Sequence, residues 1–202
     1  MTARHAFTSL RDFYAHALAI EREASHRYMD LAQEMQTHNN LAVAETFERL
    51  ARMEIDHVEE ITRAAPDVDA STIPGWEYQW EGVESPEVTP LGAVHRLLTP
   101  FQALELALKN EERALHFFET VRRSSPNHEV RALAEAFAAD ERLHIEQVKA
   151  ALARADRPSV GVDHDLDPLG DLNWSRGQRL HVFSGVTSRP ASMATAMIGM
   201  MR

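Results

Sequence analysis

The segment "MEIDH", residues 53–57, puts Glu54 and His57 three residues apart in an apolar run, and "DERLH", residues 140–144, repeats the spacing with Glu141 and His144. On an α-helix, residues i and i+3 share one face about one turn apart. Each pair therefore offers a carboxylate and an imidazole to a single point. Two copies in one chain call for a shared explanation, and the surrounding pattern supplies it.

Four long segments read as helices. The first runs from about Ser9 to His38, with Thr8 or Ser9 as N-cap and Asp12 in its first turn. "THNN" at 37–40 breaks it, and Asn39 or Asn40 caps a second helix that runs to about Ala65. The third opens with Thr99 as N-cap and Pro100 at the first helical position, and it ends near Arg123. Ser125 and Pro126 repeat the device for a fourth, running to about Ala155. Residues 66–90, with four prolines and two glycines, form a long connection between helices two and three. "LGAVHRLL" at 91–98 suits a short helical turn.

The apolar positions follow spacings of three and four, the pattern of a buried bundle seam. Helix one gives Ala17, Glu21, Ala24, Tyr28, Leu31 and Met35; helix two gives Phe47, Leu50, Glu54, His57 and Ile61. Helix three gives Leu104, Ala107, Glu111, Ala114, Phe118 and Val121; helix four gives Val130, Ala134, Phe137, Glu141, His144, Val148 and Ala151. Six polar residues thus stand where the pattern demands apolar ones: Glu21, Glu54, His57, Glu111, Glu141 and His144.

An internal repeat relates the two halves. "ALAIEREASHRY" (17–28) aligns with "ALKNEERALHFF" (107–118), and "LARMEIDHVEEI" (50–61) with "FAADERLHIEQV" (137–148). The expected fold is all-α: a four-helix bundle of two related hairpins joined by a long crossover between helices two and three. In each hairpin the seam Glu lies level with the Glu-x-x-His of its partner. The midpoints between Glu21 and the 54/57 pair fall in the 37–40 turn, and those between Glu111 and the 141/144 pair fall at 126–128. Four carboxylates and two imidazoles can hold two divalent ions, whose charge neutralises the acids. Without metal, four unpaired acids in a core are costly.

Composition narrows the class. The chain has 202 residues and a formal charge of −10, with no basic arm, so no nucleic acid is expected as partner. Cysteine is absent, which excludes disulfides, zinc–thiolate sites, iron–sulfur centres and thiol nucleophiles. Zinc is a weaker fit, because its catalytic sites usually keep three protein ligands and a water. Oxygen and imidazole donors suit iron or manganese. "MTARHAFTSLRDF" lacks the apolar run of a signal peptide, and no stretch approaches the roughly 20 apolar residues of a membrane span. A cytoplasmic protein with no membrane partner is expected.

At "EREASHRY" with "MEIDH", and "EERALHFF" with "DERLH", the chain resembles the ferritin-like superfamily and, within it, the rubrerythrin-type proteins. The resemblance implies a ferritin-like bundle over residues 1–155 and two iron ions, with manganese possible. It also implies Glu21, Glu54, His57, Glu111, Glu141 and His144 as metal ligands. It implies oxidation of Fe(II) by peroxide or dioxygen, in a homodimer or larger homo-oligomer. Three departures stand out. With no cysteine there is no rubredoxin-type iron site, so an external electron-transfer protein is expected. The extra helix-three Glu of rubrerythrins is Ala114 here. Tyr28 keeps a phenol seven residues after Glu21, where the repeat has Phe118; it reads as a donor to a ligand carboxylate, an electron relay or core.

Other features read more plainly. His26 and His116 lie off the seam and read as surface histidines. Asp56 and Asp140 read as solvated acids, with orientation of a histidine on another helix as the alternative. Residues 156–202 read as an irregular, flexible tail, with acidic "GVDHDLDPLGD" and a Met-rich end that could dock on a partner. "IPGWEYQW" in the crossover reads as a cover for the bundle or a dimer contact. The competing functions are an iron-sequestering protein without multiple turnover, a purely structural bundle, and an oxygen-activating hydroxylase.

Overall fold

The computed structural model describes residues 6–70, 85–88 and 96–157. Four helices follow in order: α1 Leu10–Thr37, α2 Leu41–Ala64, α3 Pro100–Ser124 and α4 His128–Leu152. No strand occurs among the described residues. The helices pack chiefly as the hairpins α1·α2 and α3·α4, with fewer contacts between α2 and α3 and between α1 and α4.

Local chemistry fixes the ends. Ser9 caps α1, its hydroxyl accepting from the Asp12 amide. Thr99 and Gln102 form a reciprocal capping box at α3, with Pro100 in the first turn. Asn39 adopts a left-handed φ of 57° in the first hairpin turn, a conformation Asn tolerates. Asn40 occupies the N-cap of α2 without a side-chain capping bond. Its amide instead donates to the carbonyl of Leu98 at 2.7 Å, tying the hairpin turn to the approach of α3.

The second hairpin turn departs from expectation. Asn127, not Ser125, caps α4, its Oδ1 accepting from the Glu129 amide at 2.9 Å. Ser125 ends α3 instead, and its buried hydroxyl donates to the Phe7 carbonyl at 2.6 Å. That hydroxyl is committed to the segment before α1 and to the Asn127 amide.

All the seam residues are buried except His57, whose side chain is 12% exposed. The apolar core forms two clusters. One gathers Phe13, Phe118 and Phe137, with Phe118 and Phe137 stacked at 4.9 Å and Phe13 edge-on to both. The other gathers Tyr28, Met35, Phe47, Leu50, Leu104 and Val148. Along every helix the acidic seam residues fall between members of these two clusters, so a polar layer divides the core. The segments "IPGWEYQW" and "GVDHDLDPLGD", the Met-rich end, and the start of "LGAVHRLL" lie outside the described residues.

Candidate metal centre

The six seam residues meet in that layer. Glu21, Glu54 and His57 bring one ligand atom each to within 4.8 Å of one another, and Glu111, Glu141 and His144 do the same in the other half. His57 Nδ1 lies 3.7 Å from Glu21 Oε1, and His144 Nδ1 lies 3.2 Å from Glu111 Oε2 and 3.7 Å from Glu141 Oε2. The two imidazole rings lie with centroids 4.6 Å apart, tilted 44° to each other. The triads are thus repeat-related and adjacent.

A seventh residue enters from outside the bundle. Glu87, in the crossover, is buried and groups with Glu21 and Glu141 within the same 4.8 Å limit. This group takes one acid from each triad and joins them into one centre. Sequence reasoning missed Glu87, because a crossover has no periodicity against which an acid looks misplaced. The helix-three position that the family resemblance fills with Glu is the fully buried Ala114, and here a crossover carboxylate reaches the centre instead.

Burial shapes the electrostatics. Desolvation, and then the neighbouring carboxylates, push Glu54, Glu87 and Glu141 well above the usual carboxylate range. Burial alone would lower the His57 imidazole, but Glu21, with smaller help from Asp140 and Glu60, raises it to about 9. Both carboxylate oxygens of Glu21, Glu87 and Glu141 are buried without a hydrogen-bond partner. Buried acids in that condition need a proton or a cation. The donor set, carboxylate oxygens and imidazole nitrogens converging in pairs, therefore fits two hard or borderline divalent ions.

The remaining candidates sort themselves. Tyr28 is buried, stacks on Phe47, and its phenol oxygen accepts from Asn110 Nδ2 at 2.9 Å. Burial, then the charges of Glu111 and Glu54, raise the phenol well above its usual range, so it keeps its proton. His26, His116 and Asp56 are exposed, as expected. Asp140 is buried and acts electrostatically on His57, so the solvated reading gives way to the alternative of an acid acting on a histidine of another helix.

A protein-family model described as Rubrerythrin matches residues 12–152. Among solved structures, the chain is similar to an uncharacterized conserved protein from Magnetospirillum magnetotacticum MS-1. The two share 34% identity over 76% of this chain and 99% of that one, with a TM-score of 0.58. No curated protein matches.

Proposed function

The chain belongs to the rubrerythrin family, and from that premise we propose that it is a non-haem di-iron oxidoreductase that oxidises Fe(II) with peroxide or dioxygen. The observation carrying this reading is the convergence of two Glu–Glu–His triads on one buried layer, with carboxylate oxygens left unpartnered. Glu21, Glu54 and His57 would hold one ion, and Glu111, Glu141 and His144 the other. A ferrous pair bound there would supply one electron per ion: with two protons, those two electrons convert hydrogen peroxide to two waters, or dioxygen to hydrogen peroxide.

The chain's own part is to hold and to insulate. The two apolar clusters flank the acids and keep bulk water from them. Tyr28 retains its phenolic proton in the field of Glu111 and Glu54, where it can donate to an oxygen species or a ligand carboxylate. Asp140 acts on His57 from the opposite hairpin.

The absence of cysteine favours a second reading, an iron-sequestering protein that turns over once and stops. An external electron-transfer protein separates the two. Anaerobically loaded protein should bind about two Fe(II) per chain and oxidise them rapidly on stopped-flow mixing with hydrogen peroxide. His57→Ala and His144→Ala should lose the fast phase. Wild type and both variants oxidising no faster than free Fe(II) would defeat the oxidoreductase reading. Fast oxidation that an added electron donor cannot make repeat would leave the sequestering one.

A further inference from the structure

We infer that Glu87 is a metal ligand delivered by the crossover, bridging the two halves of the centre, and that Arg113 positions it there; this rests on the di-iron reading above. The described stretch 85–88 is a short turn closed by the Val88 amide donating to the Ser85 carbonyl at 3.1 Å. Ser85, Glu87 and Val88 are all buried. Glu87 is only 2% exposed, yet neither carboxylate oxygen has a hydrogen-bond partner. An acid taken from water at that cost, and bonded to nothing, is not explained by packing. Its near neighbours are the carboxylates of Glu21 and Glu141, one from each metal triad. Three carboxylates brought together repel unless protons or a cation lie among them, and a cation there has all three as ligands.

The turn is held by a chain of hydrogen bonds that starts beside the centre. Arg113 Nη2 donates to the Val88 carbonyl at 2.8 Å and to Asn110 Oδ1 at 2.6 Å. Asn110 in turn donates to the Tyr28 phenol at 2.9 Å. The guanidinium therefore fastens the residue after Glu87 to the helix that carries Glu111. A metal-bound Glu87 has its carboxylate on the ions and its backbone on α3, so metal loading and crossover position are coupled.

Charge gives the proposal a consequence that a packing role would lack. Glu21, Glu54, Glu87, Glu111 and Glu141 together outweigh two divalent ions by one negative charge. That excess favours the ferric state, so Glu87 lowers the reduction potential of the bound iron. Glu87→Gln keeps the shape and removes the charge. With six helix-borne ligands intact, this variant should still take up two Fe(II) per chain. Its midpoint potential, read by redox titration of the bound iron, should shift positive. Ferric iron should be lost to a chelator at least about tenfold faster, the scale on which changes around a metal site act. Arg113→Ala should speed the chelator loss in the same direction but by less, because it loosens the turn that carries Glu87 and leaves the carboxylate in place.

Wild type binding two irons, with Glu87→Gln matching it in potential and chelator loss, would overturn the role of Glu87 and leave the di-iron reading standing. A wild type that takes up no iron would overturn both.

Discussion

At the scale of single residues, burial and neighbouring charge favour the protonated forms of Glu54, Glu87, Glu141 and His57 in the metal-free protein. Glu54, Glu87 and Glu141 titrate above their ordinary range when metal-free, and His57 titrates near 9. For all four the folded value lies above the unfolded one. Their protonated forms favour the fold, and that contribution is lost as pH rises through the folded values. The metal-free protein should therefore lose stability from the unfolded carboxylate range of about 4.5 upward, through the region near 9 where His57 gives up its proton. Metal binding must expel the same protons, so affinity should rise with pH over that window. Calorimetric titration of metal in two buffers of different ionisation enthalpy measures the release directly, and equal apparent enthalpies in both would contradict it. The sequence made Glu21, Glu54, Glu111 and Glu141 legible, because each interrupts a seam of apolar residues. It hid Glu87, which interrupts nothing. It also hid the burial of Asp140, which lies one residue off its seam.

At the scale of elements, the helices were readable to within a few residues because punctuation and periodicity agree. Thr99 followed by Pro100 and Gln102 announces a helix start in any context. The second hairpin turn was less readable because Ser125 and Asn127 are both good caps, and a tertiary contact decides between them. Ser125 is drawn to the Phe7 carbonyl, 118 residues away in sequence, which leaves the α4 terminus to Asn127. Asn127 also donates to the Thr8 carbonyl at 3.0 Å, so the turn holds the entry to α1 as well. Asn127→Ala should then cost about 1 kcal/mol of stability, the ordinary worth of a helix N-cap, with metal content unchanged. Chemical denaturation with and without metal is the measurement. A loss confined to the metal-loaded state would mean that this turn serves the centre and not the fold.

At the scale of the whole molecule, the bundle carries two demands that oppose each other. A continuous apolar core would be the more stable metal-free solution, yet the core is cut by a layer of acids between the Phe13 and Phe47 clusters. Glu21 lies at the middle of that cut, fully buried, between Ile20 and Ala24 of the two clusters. Replacing it by leucine should join them. Leucine removes a buried acid whose oxygens have no hydrogen-bond partner, and it lets the partly exposed His57 give up the proton that Glu21 holds on it, so metal-free Glu21→Leu should melt at or above metal-free wild type. Metal should reverse the order. A ligand bound only by the folded state adds about 2.7 kcal/mol at a hundredfold excess over its dissociation constant, and under the proposed di-iron reading wild type gains that at both ion positions. Glu21→Leu keeps one complete triad, so it should gain less from Fe(II) than wild type does. The two melting curves, measured anaerobically with chelator and then with Fe(II), should cross. A variant that melts well below wild type under both conditions would mean that Glu21 holds the fold by contacts of its own. A variant that gains as much from metal as wild type would mean that the ions do not need it.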